Sequence, residues 1–482
     1  MAELSMTTAG EPDGAPRIAV LDILRGIAIL GILFMNINDM GGALFAMFGG
    51  MRHYGWSAAD QVAWWLREVF ANGTARCLLE MLFGVGMVIL TDRAAGALAS
   101  ATQRPGRVRR IGLRLFGPGA VLRGYYARNL VLFVFGLAHI FLLMWPGDIL
   151  HTYGIAAMVA FLFRRLGPKT LLFIGSIMAL MQLFGASYGL YRAQQNIVQV
   201  PQLQARQAAG QKLTAEETKR IASFTEQVAD RAKDKAEMAK RVAIEDRARS
   251  AATGTFASWV ASAWSSMLFI WGVADTVGSG IFLEPLFIWE AAGTMLIGAA
   301  LYKWGVIQGA RRRAFYVRLT AIAYALGLGT RAYAAYVETR PDDYPSMIYA
   351  WSEVARLATT LGHIGAVNLL VTGVLGARLL RPFAAAGRTA LSIYIAQSLI
   401  CLWVLYPPFA LGLYGTQGWA GWMATAVAVN ALLLWGANVW VRHFDIAPVE
   451  WAWRSLVERR VLQWRKRPKP RDIPSSDAIP AT

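Results

Sequence analysis

Apolar runs of transmembrane length, separated by short basic or neutral loops, set the pattern of this chain. Runs of roughly 17–25 residues recur, which is the length that an α-helix needs to cross a hydrocarbon core of about 30 Å. Ten such segments are predicted, near residues 18–38, 77–92, 128–146, 149–163, 170–190, 281–306, 316–337, 354–377, 389–406 and 419–441. Because closed barrels instead alternate polar and apolar residues over about ten positions, the pattern predicts an all-α polytopic helical membrane protein.

The loops between these segments alternate in charge. Arginine is concentrated in stretches such as TQRPGRVRRIGLR and QGARRRAFYVR, whereas WPGD and PPFALGLYGTQGWAG are poor in basic residues. The positive-inside rule then places both termini in the cytoplasm, which agrees with an even number of spans. The first sixteen residues lack a basic region and a cleavage site, so the first helix is expected to be retained.

The predicted organisation has five parts. They are a cytoplasmic tail (1–17), an N-terminal bundle of spans 1–5 (18–190), an extracytoplasmic helical insert (191–255), a C-terminal bundle of spans 6–10 (256–441) and a basic cytoplasmic tail (442–482). The insert carries opposite charges at helical spacing, which favours one or two solvated helices. Tryptophan-rich segments at 51–73 and 256–275 predict interfacial or re-entrant helices.

Composition supports the membrane assignment. Hydrophobic residues make up 56% of the chain and charged residues only 16%, whereas soluble proteins carry about a quarter. The net charge of +18 comes from residues in loops between spans, so we expect contact with membrane lipids and no binding to nucleic acid. Cys77 and Cys401 lie in apolar segments without zinc-type spacing, so neither a disulfide framework nor a metal is expected.

Ionisable residues inside the predicted spans are functional candidates by default, because they cost several kcal/mol in lipid. Asp22 and Arg25 lie three residues apart, on one helix face near the start of the first span. They form either a self-neutralising structural pair or the mouth of an anion site. His139 lies deep in the third span, where it is either a satisfied core group or part of the same site.

His53 and Asp148 are predicted on the outer side of the membrane. His53 follows the first span in RHYGW, and Asp148 ends the tight turn WPGD between spans 3 and 4. Histidine titrates near neutrality and a neighbouring carboxylate can fix its tautomer, so the two residues are a candidate acid/base pair.

The opening span LDILRGIAILGILFMNIN resembles that of the transmembrane acyltransferase superfamily, which includes heparan-alpha-glucosaminide N-acetyltransferase. The closer resemblance is to the YeiB-like family of bacterial inner-membrane proteins, whose domain has no defined function. Four further stretches carry this likeness: NGTARCLLEMLFGVG (72–86), GLAHIFLLMWPGDILHTYGI (136–155), GRTALSIYIAQSLI (387–400) and FDIAPVEWAWRSL (444–456). The likeness therefore extends from the first span to the C-terminal tail.

The resemblance implies a reaction. In the heparan-type enzyme, acetyl-CoA enters from the cytosol and the acetyl group is delivered to the opposite side of the membrane. The matching motif gives His53 the role of general base or acyl carrier, and the asparagine that follows the arginine of the first motif by eleven residues corresponds to Asn36. We expect Asp148 to orient His53, and Asn36 to stabilise the developing oxyanion.

The donor, acyl-CoA, is expected to bind along a polar passage through the bundle, with its phosphates attracted by Arg25 and the arginine-rich loop after span 2. The expected donor-binding residues are Asp22, Arg25, Arg128, His139, Tyr153, Tyr394 and Gln397. The function implied is transfer of an acyl group, expected to be acetyl, from cytosolic acyl-CoA to an extracytoplasmic hydroxyl or amine acceptor. The expected location is the bacterial inner membrane, and the resemblance is compatible with a homodimer.

Two other hypotheses stay open. A transporter, flippase or channel for a small polar or anionic solute would use the same polar interior, although the sequence has no apparent internal repeat of the kind that secondary transporters often carry. A non-catalytic membrane component or lipid-binding scaffold is the third hypothesis.

Overall fold

The computed structural model describes residues 19–48, 50–102, 107–270, 280–340 and 346–466. Within these ranges the chain forms α-helices and no β-strand. The helices are α1 (Ala19–Gly41), α2 (Ala58–Leu66), α3 (Thr74–Thr102), α4 (Arg107–Leu143), α5 (Leu150–Phe161), α6 (Pro168–Ala179), α7 (Met181–Ala208), α8 (Ala215–Arg249), α9 (Phe256–Ile270), α10 (Gly280–Lys303), α11 (Arg313–Glu338), α12 (Ser352–Val371), α13 (Val374–Arg388), α14 (Ala390–Ile400), α15 (Trp419–His443) and α16 (Pro448–Glu458). Short π-helical turns follow α2 and α14, at Arg67–Ala71 and Cys401–Leu405.

The predicted all-α polytopic membrane fold is confirmed. In the described part of the chain, six helical segments are long and apolar enough to cross a membrane, and α13 with α14 adds a seventh if that bent pair counts as one span. The count of ten spans and the cytoplasmic location of both termini stay predictions. Residues 1–18 and 467–482 lie outside the described residues.

Two predicted spans are shorter than expected. The helices α5 and α6 have 12 residues each, about 18 Å at 1.5 Å per residue, which is less than a bilayer core of about 30 Å. Ala157 and Phe161 of α5 are fully buried, so the apolar run there reflects packing against other helices. The predicted span at 170–190 also divides at Leu180 into α6 and α7.

The helices α13 and α14 form one broken element. They meet at Thr389 and are bent by 82° relative to one another. The Thr389 hydroxyl donates to the carbonyl of Ala385 at 3.2 Å. The break brings the N-terminus of α14 into the bundle, so its first backbone N–H groups need partners from elsewhere in the chain.

Small residues let α1 and α13 approach closely. A Cβ at Gly26 would overlap the carbonyl oxygen of Phe383, and a Cβ at Gly387 would overlap that of Asp22. Helix pairs in membranes gain much of their stability from such close backbone packing, since the apolar lipid gives little hydrophobic drive.

An aromatic-rich outer layer covers one end of the bundle; it consists of α2, α9, the loop 42–57 and the loop 406–418. Trp259 of α9 packs on Tyr414 with ring centroids 5.8 Å apart. The insert rests on this layer through the last turns of α8, where Glu245 and Arg249 are buried and paired at 3.0 Å. Most of the rest of α8 is exposed.

The remainder of the insert is a helical hairpin. Its second helix, α8, begins with a capping box, in which the Thr214 hydroxyl accepts from the Glu217 N–H and the Glu217 carboxylate accepts from the Thr214 N–H. Arg206 of α7 joins the two helices through a 2.8 Å ion pair with Glu217.

We expect Gly84→Ala to lower the free energy of unfolding by about 1–3 kcal/mol, because its Cβ would overlap the carbonyl oxygen of Met295 between α3 and α10. Gly86, in the same helix, has open space within 4 Å of the position that an alanine methyl group would take. Gly86→Ala is the matched control and should hold or raise stability, since alanine favours the helix by about 1 kcal/mol. Thermal unfolding in detergent measures both; equal melting temperatures would contradict this account.

Candidate active site

A cavity of about 240 Å³ lies among α1, α3, α4, α5, α13, α14 and α16. Its walls combine apolar side chains with a small set of polar ones. The polar lining residues are Arg25, Tyr125, Arg128, Asn129, Tyr153, Arg388, Tyr394, Glu450 and Arg454. Four of the donor-binding residues expected from the sequence, Arg25, Arg128, Tyr153 and Tyr394, therefore line a single cavity.

Three of the four arginines, Arg25, Arg128 and Arg454, lie near one another, and we call the part of the cavity that they line the arginine end. Arg25 and Arg454 are close enough to Arg128 for their charges to repel, and Arg25 donates to the carbonyl of Gly387, beside Arg388, at 3.4 Å. The lining contains four guanidinium groups and one carboxylate. Such an excess of one sign attracts anions.

Local contacts hold two of these side chains. Arg25 donates to the Asp22 carboxylate at 2.9 Å, as expected for residues three apart on a helix. The Arg128 guanidinium stacks over the Trp453 ring, 4.1 Å from its centroid. The Trp453 indole N–H donates to the carbonyl of Arg128 at 3.1 Å, so α16 is fixed against α4.

Glu450 of α16 caps the N-terminus of α14. Its carboxylate accepts from the N–H of Leu391 at 2.7 Å and of Ser392 at 3.3 Å, and from the Ser392 hydroxyl at 2.5 Å. Burial raises the pKa of the Glu450 carboxyl above its ordinary value, against the opposing effect of these hydrogen bonds. The helix end that points at the cavity thus already holds one carboxylate.

Two buried tyrosines line the cavity away from its arginine end. The Tyr153 hydroxyl donates to the carbonyl of Arg76 at 3.0 Å. The Tyr394 hydroxyl accepts from the N–H of Ile149 at 3.2 Å and lies 3.3 Å from the Asp148 carboxylate, to which it donates. Tyr394 therefore connects the cavity to the next group of polar residues.

Asp148 is the centre of that group. One carboxylate oxygen lies 2.7 Å from His139 Nδ1, and the other lies 2.9 Å from the His151 N–H and 3.0 Å from His151 Nδ1. The side chains of His139 and Asp148 are fully buried. We call His139, Asp148, His151 and Ser398 the Asp148 cluster.

The backbone explains how the turn reaches this position. The chain leaves α4 at Leu143, and the turn folds back so that Asp148 lies against α4 itself. Gly136 of α4 leaves the space, because a Cβ there would overlap the backbone of His151 and the Asp148 carboxylate. A glycine about two turns before the end of α4 is therefore required by the site.

The two histidines have different second partners. Because the ionised Asp148 accepts only, His139 donates from Nδ1 and its Nε2 accepts from the Ser398 hydroxyl at 2.8 Å. His151 Nε2 lies 3.1 Å from the Glu284 carboxylate and 3.2 Å from the Thr152 hydroxyl. Each ring is held at both nitrogens, so its orientation is fixed.

A network of buried charges adjoins the cavity beside Tyr153. Its members are Arg76, Glu80, Glu290, Glu353 and Arg356, on α3, α10 and α12. Arg76 pairs with Glu290 at 2.6 Å, and Arg356 pairs with Glu353 at 2.7 Å. Paired in this way the charges tolerate burial, whereas removing one partner would leave an uncompensated charge.

The structure does not pair His53 with Asp148, so that expectation was wrong. His53 Nε2 lies 3.3 Å from the carboxylate of Asp246 on α8, and its side chain is 35% exposed. The reason is that Asp148 turns inward between α4 and α5, whereas His53 lies in the outer layer. Asn36 is half-buried on α1 and is not among the cavity residues.

Gln397 and Asp22 also lie outside the cavity lining. The Gln397 side chain donates to the carbonyl of Ile29 at 3.2 Å and to Asn430 at 3.0 Å, so it joins α1, α14 and α15. Asp22 contacts the cavity residue Arg25 by accepting its hydrogen bond. His139 is not a lining residue either, and it belongs to the Asp148 cluster.

The sequence analysis did not assign Ser398, Glu284, Arg388 or Arg454 to the donor or catalytic site. Ser398 and Arg388 lie in GRTALSIYIAQSLI, and Arg454 lies in FDIAPVEWAWRSL. These are two of the stretches that carry the family resemblance, and that resemblance is the signal that could have identified these three residues. A serine in an apolar span has no distinguishing pattern of its own, because its neighbours across the bundle are unknown from sequence.

A family model described as "Protein of unknown function (DUF418)" matches residues 301–460. YxaH of Bacillus subtilis (strain 168), named an uncharacterized protein, is 27% identical over 470 residues, covering 96% of this chain and 98% of that protein. YeiB of Escherichia coli (strain K12), also named uncharacterized, is 24% identical over 453 residues, covering 92% and 97%. The expected resemblance to YeiB-like proteins is confirmed. Neither name states a reaction, so membership of the acyltransferase superfamily stays a prediction.

We expect Asp148→Asn to lower the free energy of unfolding by about 2 kcal/mol or more. The amide has one accepting oxygen where the carboxylate has two, so at least one donor of His139, His151 or Tyr394 loses its partner inside the bundle. Asp230→Asn, at an exposed position of α8, is the control and should leave stability unchanged. Thermal unfolding of both variants is the measurement, and equal stability would remove Asp148 as the structural centre of the cluster.

Proposed function

From the likeness of this chain to YeiB-like proteins, we propose that it is a membrane-embedded acyltransferase. It takes an acyl group, in the simplest case acetyl, from cytosolic acyl-CoA and passes it to an extracytoplasmic hydroxyl or amine. One observation carries the proposal: a single cavity has three neighbouring arginines in its wall, and its Tyr394 contacts a carboxylate that holds two histidines. The inner-membrane location of the protein is part of the same proposal.

The arginine end suits the nucleotide part of the donor. Coenzyme A carries several phosphate charges, and arginine is the side chain that binds phosphate with paired, charge-assisted hydrogen bonds. Arg25, Arg128 and Arg454 come from three separate helices, so they can surround a phosphate group. The remaining walls are mainly apolar, with Leu79 and Leu132 among them, and suit the slender pantetheine arm and the acyl chain.

The Asp148 cluster supplies the acid/base group. A histidine whose tautomer is fixed by a carboxylate can take a proton from an attacking hydroxyl or amine and return it to the leaving group. His139 is held in this way by Asp148, with its Nε2 facing the Ser398 hydroxyl, whereas His151 faces a carboxylate at each ring nitrogen, Asp148 and Glu284. The thioester carbonyl would lie near Tyr394, where the cavity contacts Asp148.

His53 has no proton-transfer role in this proposal. Its ring bonds Asp246 in the outer layer and is partly exposed. The acceptor must approach from that layer if the acyl group leaves on the far side of the membrane. His53 then lies on the approach of the acceptor, away from the reacting carbonyl.

A transporter is the second candidate, and the break between α13 and α14 favours it. Broken helices whose half-helix ends face a central site are typical of secondary transporters, and the N-terminus of α14 faces the arginine-lined cavity. Gradient-dependent flux of an anionic solute into sealed proteoliposomes, without any acyl transfer, would favour transport. Transfer of label from acyl-CoA without flux would favour the enzyme.

Arg454→Gln should weaken coenzyme A binding by about 10- to 150-fold, because one charge-assisted hydrogen bond to phosphate contributes about 1.5–3 kcal/mol. Arg460→Gln is the matched control, since Arg460 follows the same helix and pairs with Glu458 in solvent at 2.8 Å. Titration of the purified protein with coenzyme A, followed by thermal stabilisation, measures both. If millimolar coenzyme A failed to stabilise the unmodified protein, the proposed binding site for acyl-CoA would be wrong.

His139→Ala and His151→Ala test the base. We expect at least one of them to reduce acyl transfer by about 100-fold or more, the usual contribution of a general base, while coenzyme A binding is retained. His53→Ala should transfer at close to the unmodified rate. Radiolabelled acetyl-CoA followed into acceptor or water is the measurement. If His53→Ala alone lost acyl transfer, His53 in the outer layer would be the catalytic residue and the proposed base would be wrong.

A further inference from the structure

We propose that Ser398 is the nucleophile that carries the acyl group, within a Ser398–His139–Asp148 relay. The inference rests on the proposed acyltransferase function and adds a covalent intermediate to it. The Ser398 hydroxyl lies 2.8 Å from His139 Nε2, and His139 Nδ1 lies 2.7 Å from Asp148. Serine, histidine and carboxylate in this order and at these separations are the arrangement that activates a hydroxyl for acyl transfer.

The direction of the Ser398 hydroxyl supports this role. Hydroxyls within helices commonly bond the carbonyl one turn earlier in their own helix. Thr91, Thr359 and Thr360 do so here, at 2.8–3.0 Å. The Ser398 hydroxyl instead bonds His139 on another helix, 259 residues away in the chain.

The hydrogen-bond donors around Asp148 fix the direction of proton transfer in the Ser398–His139–Asp148 relay. Its second oxygen is held by the N–H and Nδ1 of His151, and Tyr394 donates to the first. The carboxylate is therefore fixed as an acceptor, and His139 presents the lone pair of Nε2 to the Ser398 O–H. No rotation of the ring is needed for His139 to accept that proton.

Tyr394 lies between the Ser398–His139–Asp148 relay and the cavity proposed to bind the acyl donor. It lines the cavity, and Ser398 follows it by four residues, about one turn of the same helix and on the same face. Ser398 itself is fully buried and is not among the cavity-lining residues, so in this proposal the acyl thioester passes the Tyr394 ring to reach it. The π-helical turn Cys401–Leu405, which begins three residues later, is the kind of irregularity often found at functional sites.

The chemistry balances in two steps. First the Ser398 oxygen bonds the thioester carbonyl carbon, the carbon–sulfur bond breaks, and His139 passes the serine proton to the departing sulfur, which leaves as the thiol of coenzyme A. Then the acceptor oxygen or nitrogen bonds the same carbon, the serine ester breaks, and His139 returns the acceptor proton to Ser398. No oxidant or further reactant is needed.

Purified full-length protein incubated with radiolabelled acetyl-CoA and no acceptor tests the intermediate. We expect one labelled acetyl group on Ser398, located by peptide mass spectrometry, and release of the thiol before any acceptor is added. Ser398→Ala should lose this label, and its transfer rate should fall by about 1000-fold or more, while it binds coenzyme A like the unmodified protein. Ser398→Cys should take the label as a thioester, which neutral hydroxylamine cleaves.

Thr359→Ala is the matched control, because Thr359 is an equally buried hydroxyl that bonds only its own helix. It should keep the label. If the protein binds coenzyme A and transfers acetyl while Ser398→Ala does so at the same rate, the covalent step is wrong and the proposed function stands. If the unmodified protein neither binds coenzyme A nor takes the label, both proposals fall.

Discussion

A single buried carboxylate organises the interior of this protein. Asp148 accepts hydrogen bonds from His139 on α4, from His151 on α5 and from Tyr394 on α14. A carboxylate without these donors could not be kept ionised inside a helical bundle, because the loss of hydration costs far more than one contact returns. The need to satisfy Asp148 therefore dictates how three helices meet, and it sets the tautomer of the ring that we propose as the base.

The polar interior is divided among three neighbouring groups: the arginine end of the cavity, the Asp148 cluster and the network around Arg356. The cavity lining carries an excess of positive charge, four guanidinium groups against Glu450. The network around Arg356 pairs two guanidinium groups with three carboxylates, so most of its charge is compensated internally, which is the usual condition for charge inside a membrane protein. Of the three groups, the arginine end therefore has the charge to bind an anionic ligand. The Asp148 cluster has the histidine that can transfer a proton.

Sequence patterns predicted the helical membrane fold and several cavity residues, for reasons that can be stated. The span around Leu21–Asn38 became α1, and Arg25, Arg128, Tyr153 and Tyr394 line one cavity because polar groups in apolar segments must face one another. Two kinds of information were missing. Hydropathy does not separate a helix buried by protein from one surrounded by lipid, so it predicts a full span where the structure has the 12-residue helix α5. Long-range pairing cannot be read from one sequence, so the predicted partner of His53 is Asp148, whereas its partner in the structure is Asp246.

The cap on α14 has a consequence for the order in which the molecule is made. The first N–H groups of that helix are satisfied by Glu450, which lies 59 residues further along the chain than Leu391. While the ribosome is still synthesising α15, the N-terminus of α14 lacks this partner, and such unsatisfied groups are poorly tolerated away from water. The broken element α13–α14 can therefore reach its final place only after α16 has emerged, which makes the C-terminal segment the closing step of biogenesis.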